Sequence, residues 1–437
     1  MALFGRRKTT DLPEQDDPVI AEPPAPAPAV AHRSVEQQRD FLLAHVGAMR
    51  PFGMQIHDVV GLTLCEDITS DLDLPLVTTA RISGFGVRSS DLVGATADAP
   101  ARLYVVGRIG IADDPGSALM AGAAVEVEEG AILPDGVDAI VPPAHCTMGP
   151  EGNVHITTEM RLYANLRRAG SELADGERLL AAGETLTPRS VGVLAEVGID
   201  RVLVRPRPRV VVVSVSDVLV PPGEALTRPQ QRYDSATALL AASARATGAT
   251  VYPMGILPRD AEVIGQTIAD QQIRADLILV IGGGELIRQV ADGMGDLDEA
   301  YVALNGEARY GFAALGSEGT PMLMLPSGSV NVYAAYHALI RPMINKLNEA
   351  DPLSTSVVTG RLGATLDLPA DVTHYLPAHL GEDGTVDLVS TPDSQLAWDL
   401  ERADVLVILP AGVRTGAGSE VTCIVLEERT TSSGTSR

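Results

Sequence analysis

Apolar residues occur along this chain in short unbroken runs that end at glycine-rich turns. Residues 277–281 read LILVI, without alternation of apolar and polar positions, and three glycines follow at Gly282 to Gly284. A run of this length without alternation predicts a strand covered on both faces, as in a parallel sheet flanked by helices. Residues 207–214, which read RPRVVVVS, predict a second buried strand of the same kind.

Helical patterns lie between the predicted buried strands. The alternation of strands and helices over residues 207–350 predicts a doubly wound α/β domain. Its other predicted elements are a helix at 235–247 closed by Gly248, a strand at 251–256, a helix at 261–272, a strand at 322–326 and a helix at 329–347.

The rest of the chain divides by composition. Short strand-like runs separated by Gly, Pro and Asp predict β-rich structure on both sides of the central domain. A Pro- and Ala-rich beginning cannot bury enough apolar surface to fold by itself and is predicted to be disordered. Ser34, with Gln37 in capping-box spacing, predicts the start of the first helix. The predicted units are a disordered tail at 1–33, an N-terminal linker region at 34–75 and 162–206, an inserted β-rich domain at 76–161, the central domain at 207–350, a C-terminal β domain at 351–429 and a polar tail at 430–437.

Charge and composition exclude several classes of function. Acidic residues outnumber basic ones 57 to 33 in the 437-residue chain, which gives a net charge of −24. A broad nucleic-acid interface needs clustered Lys and Arg, so this class is excluded. Lysine occurs only at Lys8 and Lys346, so arginine supplies almost all the positive charge. A mechanism that needs a lysine in a mid-chain pocket is therefore excluded.

The spacing of the cysteines and the hydropathy of the chain indicate the cellular compartment that we expect for the protein. Cys65, Cys146 and Cys423 lie far apart without a CxxC pair, which argues against a disulfide framework and against a zinc site. The sequence has neither an apolar run of about 18 residues, the length of a membrane span, nor a signal-peptide core. We therefore expect a soluble, cytoplasmic protein that is not itself transmembrane.

The three glycines at Gly282 to Gly284 allow two interpretations. In open α/β sheets, ligands bind beyond the carboxyl ends of the strands, and glycine lets backbone N–H groups approach a phosphate. The alternative is a tight strand-to-helix turn without a ligand. Glu285 places a negative charge where an anion would sit, and Ile281 is apolar. The sequence therefore predicts a loop with the shape of a phosphate-binding loop but without the side chains that bind phosphate.

Six phrases of the sequence carry a resemblance to a known family. They are VGLTLCEDI at 60–68, DLDLP at 71–75, GFGVRSSD at 84–91, GAILPDGVDAIV at 130–141, NLRRAGSELADG at 165–176 and RPRVVVVSVSDVLVPPG at 207–223. In these phrases and in their order the chain resembles the MoeA family of molybdopterin molybdenumtransferases, which includes the C-terminal domain of gephyrin. The resemblance implies an elongated multidomain α/β homodimer with an inserted β-rich domain, a central doubly wound domain and a small C-terminal β-barrel-like domain.

The positions that correspond to the family's active site differ in this chain. The family binds an adenylylated pterin phosphate, molybdate and a divalent cation, which require hydroxyl donors, cationic side chains and carboxylates. Ser83 stands where the family has an acidic residue, and Glu307 corresponds to a family lysine. Val280 and Ile281 replace hydroxyl-bearing residues, and Glu285 replaces a serine, where its charge would repel a phosphate. These differences predict a fold that was kept after catalysis was lost.

Some residues keep candidate roles under this resemblance. Asp217 is the residual candidate for catalysis and, if the protein is active, for binding a metal, although a lone Asp after a strand is more often a turn or cap residue. The candidates for a vestigial pterin-phosphate loop are Gly282, Gly283, Gly284, Asp234 and Ser235.

Cofactors are expected only if the protein is an enzyme. The main interpretation predicts none, whereas an active enzyme would bind Mg²⁺ and adenylylated molybdopterin. In that case Asp217, Asp234 and Glu285 would hold the metal. Arg81 or Arg88 would then contact phosphate, the alternative for Arg88 being an ion pair on the β-rich domain.

Three hypotheses for function follow. The first is a gephyrin-like, non-catalytic dimeric scaffold or adaptor for a cytoplasmic segment of a membrane protein or for a cytoskeletal or cell-division partner. The second is a divergent molybdopterin molybdenumtransferase, and the third is a regulatory dimer that binds the pterin without converting it. Tyr375 to Pro377 and Trp398 are candidates for the partner groove, with Trp398 equally compatible with a core position. Leu3, Phe4 and Arg6 to Lys8 form either a short contact peptide or an untethered start.

Overall fold

The structure is a computed structural model that describes residues 30–413 and 416–426. The predicted polar tail at 430–437 lies outside these ranges. So do residues 1–29 of the predicted N-terminal tail, which include the candidate contact peptide. Among the described residues, none of the helices has the length and apolarity that a bilayer span requires.

The chain enters the fold as an edge strand. Strand β1 (Ala31–Arg33) pairs in parallel with residues 300–302 of the central sheet. The Arg33 guanidinium donates two hydrogen bonds to the Asp298 carboxylate, and the one from Nη2 to Oδ2 measures 2.9 Å. The prediction of a disordered tail is therefore wrong for residues 31–33. No apolar run marks these residues, because a strand distant in sequence decides their conformation.

Helix α1 (Val35–Ala44) begins where the capping box predicted. The Ser34 hydroxyl accepts a hydrogen bond from the Gln37 backbone N–H at 3.2 Å, and the Gln37 side chain accepts from the Ser34 N–H at 2.9 Å. Both N–H groups would otherwise lack partners at the helix start. Val35 and Leu42 are fully buried and attach the helix to the central domain.

Two passes of the chain build the N-terminal region, with the inserted domain between them. The first pass contains β2 (Phe52–Gln55), β3 (Ile68–Thr69) and β4 (Thr79–Ala80). The inserted domain forms a six-stranded sheet in the order β8-β5-β7-β6-β10-β9. Its strands are β5 (Gly84–Val87), β6 (Ala101–Ile109), β7 (Ala123–Val127), β8 (Ala139–Val141), β9 (Cys146–Met148) and β10 (Asn153–Ile156).

The second pass pairs with the first, strand by strand. It contains β11 (Leu166–Arg167), β12 (Arg178–Leu180), α2 (Pro188–Glu196) and β13 (Arg201–Val204). Strands β11, β12 and β13 lie antiparallel to β4, β3 and β2, respectively. A two-stranded pair is marginal alone. The β2–β13 and β3–β12 pairs share one core of buried aliphatic side chains, whereas Ala80 and Leu166 of the β4–β11 pair pack against the inserted domain. The helix predicted near residues 191–199 corresponds to α2.

The central domain is the predicted doubly wound α/β fold. A seven-stranded sheet runs in the order β1-β19-β20-β21-β18-β14-β17, with β17, β14, β18 and β21 parallel. Besides β1, the strands of this sheet are β14 (Arg209–Val215), β17 (Thr250–Leu257), β18 (Leu277–Gly282), β19 (Gly295–Ala303), β20 (Glu307–Leu315) and β21 (Thr320–Leu325). Strands β15 (Leu219–Val220) and β16 (Arg232–Tyr233) form a separate two-stranded pair. The helices of the domain are α3 (Ser235–Ala246), α4 (Ala261–Gln272), α5 (Glu285–Asp292), α6 (Ser329–Ala335) and, after a π-helical turn at Tyr336–Ile340, α7 (Arg341–Leu347).

Both faces of the sheet are covered, as the unbroken apolar run predicted. Leu277, Leu279 and Ile281 of β18 join the core beneath α1, α3, α6 and α7, whereas Ile278 and Val280 join the core beneath α4 and α5. The antiparallel hairpin of β19 and β20 was not predicted, because its sequence, with Asp296, Asp298 and Glu299, lacks a continuous apolar run. It makes the sheet mixed rather than wholly parallel.

The C-terminal domain is a small closed barrel, which confirms the predicted β-barrel-like unit. The barrel order is β22-β24-β23-β25-β26. Its elements are β22 (Val357–Leu362), β23 (His374–Leu380), β24 (Thr385–Leu388), α8 (Ala397–Arg402), β25 (Val405–Leu409) and β26 (Glu420–Val425). Strand β23 was not predicted. It is held to the central domain by Asn305, whose side chain donates to the Tyr375 carbonyl at 3.0 Å and accepts from the Tyr375 N–H at 2.7 Å.

Candidate functional site

The parallel part of the central sheet has a topological switch point between β14 and β18. These strands are neighbours, with Val213 opposite Val280, but the chain continues from β14 to β17 on one side and from β18 towards β21 on the other. Connections that leave in opposite directions open a crevice beyond the carboxyl ends of the two strands, where ligands bind in this class of fold. The three glycines follow β18 at this point.

The glycine loop has a backbone that other residues would strain. Gly282, Gly283 and Gly284 have φ angles of +81°, +79° and +57°. Gly283 donates its N–H to the Val215 carbonyl at 3.1 Å, so the loop is pinned to the end of β14. A Cβ atom on Gly283 would lie 3.0 Å from Cβ of the buried Ile287. Helix α5 starts directly after the loop without a side-chain cap, so its first N–H groups remain available to an anion.

The carboxylate of Glu285 is paired with arginines. It accepts a hydrogen bond from Arg288 at 2.5 Å and lies 3.6 Å from Arg309. Arg288 also contacts Glu299 at 3.0 Å, and an Arg309–Glu299 pair closes a network of four charges. The hydrogen bond from Arg288 lowers the pKa of the Glu285 carboxyl. The negative charge of Glu285 is therefore paired rather than free to repel a phosphate, because Arg288 of the same helix and Arg309 of the distant β19–β20 hairpin both lie against it.

Asp217 adopts the turn role that was the alternative to a catalytic one. Its Oδ1 accepts from the Arg259 N–H at 3.2 Å, and its carbonyl accepts from Nη2 of Arg228 at 3.0 Å. Nη1 of Arg259 lies 4.0 Å from where a Cβ on Gly284 would be. Neither Arg259 nor Arg228 forms an ion pair with another described residue. Asp217 therefore holds the backbone of Arg259 at the turn, and the Arg259 side chain lies beside the glycine loop.

Asp234 and Ser235 lie at the start of α3. The buried Asp234 caps this helix by accepting from the Thr237 N–H at 3.0 Å. The Ser235 hydroxyl lies 2.8 Å from the hydroxyl of Ser329, at the start of α6 after β21. Across residues 30–413 and 416–426, no group of three or more His, Cys, Asp and Glu side chains is arranged to hold a metal. The predicted set of metal ligands is therefore not a preformed site.

The inserted domain carries the remaining site predictions. Ser83 accepts a hydrogen bond from the Glu129 N–H at 3.0 Å, beside a cavity of about 470 Å³ that Arg108 also lines. Arg88 forms no ion pair within the part of the chain that the structure describes, so the ion pair considered for it is not found. Arg81 is exposed. The structure brings neither Arg81 nor Arg88 into contact with the glycine loop.

The partner-groove candidates separate into two environments. Tyr375 to Pro377 lie in β23 and are buried, so they do not form an open surface. Trp398 is 64% exposed, so a core position is wrong for it. It lines a groove of about 1080 Å³ between α3, the α6–α7 segment and α8, together with Tyr333 and Leu239.

Sequence reasoning did not find the arginines around the glycine loop. Arg259 follows β17 at the carboxyl edge of the sheet, and the rule that identified the glycines could have identified it. Arg288 and Arg309 gave no such signal, because their position depends on the α5 turn and on the unpredicted hairpin. Arg288 and Arg309 are balanced by Glu285 and Glu299, so among these three arginines only Arg259 brings positive charge without an ion-pair partner among the described residues.

Two family models match the chain in the order of its domains. The model of the MoeA N-terminal region (domain I and II) matches residues 33–198, and the model of a probable molybdopterin binding domain matches residues 211–346. The second range contains the glycine loop and the switch point.

Curated relatives cover almost the whole chain. Molybdopterin molybdenumtransferase 1 of Mycobacterium tuberculosis is 30% identical over 420 residues, which cover 88% of this chain and 97% of the relative. Molybdopterin molybdenumtransferase 2 of the same organism is 29% identical over 407 residues, covering 89% and 98%.

A solved structure shows the same fold. The molybdopterin biosynthesis MoeA protein of Pyrococcus horikoshii superposes with a TM-score of 0.78 at 23% identity, over 90% of this chain and 99% of that chain. At this identity the likeness concerns the fold, and it includes all the domains described above.

Proposed function

The chain belongs to the MoeA family, and from this premise we propose that it is a molybdopterin molybdenumtransferase, which inserts molybdate into adenylylated molybdopterin. The observation that carries the proposal is the glycine loop at the switch point of the sheet, flanked by arginines. The names of the relatives support it, and they do not support a loss of activity.

The loop and its arginines bind the phosphoryl group in this proposal. The free N–H groups at the start of α5 donate to phosphate oxygens, and the partial positive charge of the helix start favours the anion. Arg259 adds a charge-assisted hydrogen bond, which is stronger than a neutral one. Arg288 and Arg309 form ion pairs with the Glu285 carboxylate, and these pairs reduce the repulsion between Glu285 and the phosphate of the substrate.

A divalent cation does not fit the described side chains as they are arranged. The Asp234 carboxylate caps α3, and Asp217 accepts a backbone hydrogen bond at the turn. Mg²⁺ needs oxygen ligands in a near-octahedral arrangement, which these two carboxylates do not provide together. The residues of this chain therefore bind and orient the phosphoryl group in the proposed function.

Complementation tests the proposal. The full chain is expressed in a bacterium that lacks its own molybdenum-inserting enzyme, and the activity of a molybdenum-dependent reductase is measured. Restored activity is the expected result, and Arg259→Ala should reduce it while Arg274→Ala, a control arginine at the end of α4, should not. No activity from a folded protein at high molybdate would contradict the transferase.

A dimeric scaffold or adaptor is the second candidate. The observation that favours it is the groove of mixed polar and apolar side chains, which includes the exposed Trp398 and could accept a segment of another chain. Its proposed partners are a second copy of this chain and a cytoplasmic segment of a membrane, cytoskeletal or cell-division protein. A cross-linked pull-down with the full chain and with a chain lacking residues 1–33 tests it. Failed complementation together with partner capture that Trp398→Ala abolishes would favour the scaffold.

A further inference from the structure

The C-terminal domain contacts the carboxyl edge of the central sheet through the side chain of Gln395. The chain leaves β21 and turns into α6 at Gly328, which has a φ of +108°, and no side chain near it in sequence caps the helix. The Gln395 Oε1 atom accepts from the Asn331 N–H at 3.0 Å. The Gln395 Nε2 group donates to Oδ1 of Asn331 at 3.2 Å. A single carboxamide thus completes the first turn of a helix in another domain.

The turn is shaped to admit this side chain. A Cβ atom on Gly328 would lie 2.5 Å from Oε1 of Gln395, so any other residue there would displace the carboxamide. On its own side, Gln395 belongs to a segment of residues 390–396, which we call the strap. The hydroxyl of Ser394 donates to the carboxylate of the buried Asp399, which fixes the end of the strap next to α8.

The same turn carries a wall of the candidate site. Ser329, two residues before Asn331, meets Ser235 through their hydroxyls at 2.8 Å. Ser235 follows Asp234, the cap of α3, so the starts of α3 and α6 are joined at the carboxyl edge. The turn and the glycine loop follow neighbouring parallel strands, with Ile281 opposite Leu325, so a displacement of the 326–331 turn would change the carboxyl edge beside the glycine loop.

We propose that Gln395 is a positioning residue: its carboxamide, supplied by the C-terminal domain, holds the 326–331 turn in the shape that joins Ser329 to Ser235. Through this turn it sets the crevice for the phosphate-bearing substrate. The effect on the turn stands on the hydrogen bonds alone. The effect on the substrate rests on the proposed function.

Hydrogen–deuterium exchange of the full chain tests the effect on the turn. Gln395→Ala removes both hydrogen bonds, so exchange at Asn331 and in the first turn of α3 should accelerate by about five- to tenfold. Gln395→Glu keeps an acceptor for the Asn331 N–H and should exchange close to the wild-type rate. Asp393→Ala, an exposed change in the same strap, is the matched control and should leave exchange unaltered.

Steady-state kinetics test the effect on the substrate. Gln395→Ala should raise KM for adenylylated molybdopterin several-fold with a smaller change in kcat, because the residue shapes the crevice without touching the reacting atoms. Unchanged exchange at Asn331 would overturn the positioning role. Faster exchange with unchanged KM and kcat would overturn its link to the substrate. A wild-type chain without transferase activity would refute the proposed function, and the exchange comparison would still decide the role of Gln395 in the turn.

Discussion

A methyl group at Gly283 should destabilise the protein strongly, because the glycine loop has no room for it. Gly283→Ala forces a φ of +79° on a residue with a Cβ atom, which costs about 1–2 kcal/mol. The new Cβ would lie 3.0 Å from both Cβ and Cγ2 of Ile287 and 3.2 Å from Cβ of Val215.

The neighbours of Gly283 cannot move aside easily. Ile287 is 1% exposed and Val215 is 3% exposed, so both are packed against other core side chains. Inserting a methyl group into a packed core costs about 1–3 kcal/mol. Together with the backbone strain, the substitution should lower the free energy of unfolding by about 2–5 kcal/mol.

Guanidinium unfolding followed by far-UV circular dichroism measures this loss, with Gly265→Ala as the matched control. Gly265 lies inside α4, and its Cβ would be 3.7 Å from the nearest atom, Cγ1 of Val290, which is an ordinary contact. Alanine at this helical position should stabilise the protein by about 0.5–1 kcal/mol. The two substitutions should therefore shift the unfolding midpoint in opposite directions. A Gly283→Ala variant as stable as the wild type would refute the argument from the loop geometry.

Three further predictions follow from the charges and the burial. Glu285→Gln removes the negative charge next to the loop. AMP, used as a phosphate-bearing probe in isothermal titration calorimetry, should therefore bind the variant several-fold more tightly than the wild type. Equal affinity would contradict a role of that charge at the site. Asp276→Asn weakens three hydrogen bonds from Arg209, at the start of β14, to the residue before β18. It should lower the free energy of unfolding by about 1–3 kcal/mol in chemical denaturation, and an unchanged midpoint would show that the pair is dispensable. Burial, with the nearby Arg341 charge, lowers the pKa of His337 from 6.5 to about 3, so only the unfolded ring binds a proton between these values. The contribution of the neutral His337 ring to the free energy of unfolding is complete above about pH 6.5 and falls by up to about 1.4 kcal/mol per pH unit as the pH decreases towards 3. His337→Leu should therefore flatten the pH dependence of the unfolding free energy between about pH 6.5 and 4. An unchanged slope would contradict this.

The central fold could be predicted from the sequence because each buried strand is marked by a run of adjacent apolar residues. The run at 277–281 is apolar at every position, and burial on both faces is the physical reason for such a run. Helix α4 spans the predicted residues, and its start is fixed locally by Asp260, which accepts from the Glu262 and Val263 N–H groups. Strand β1 was not predicted because it is an edge strand whose conformation depends on pairing with the distant β19, and the hairpin of β19 and β20 was not predicted because Asp296, Asp298 and Glu299 interrupt any apolar run in β19.

The candidate site divides in the same way. The position of Gly282 to Gly284 followed from sequence, because a glycine turn after a buried parallel strand lies at the carboxyl edge of the sheet. The charge of that site did not follow from it. Glu285 predicted repulsion of an anion, and the structure instead pairs it with Arg288 and Arg309.

The order of the domains, the central α/β fold and the glycine loop could all be predicted from the sequence, since each depends on periodicity and on residues that are adjacent in the chain. The surroundings of the loop depend instead on packing between distant segments. Arg309 reaches the loop from a hairpin, and Gln395 reaches the neighbouring turn from the C-terminal domain. Contacts between residues far apart in the chain leave no periodic signal, because their geometry is fixed only when the packed elements meet.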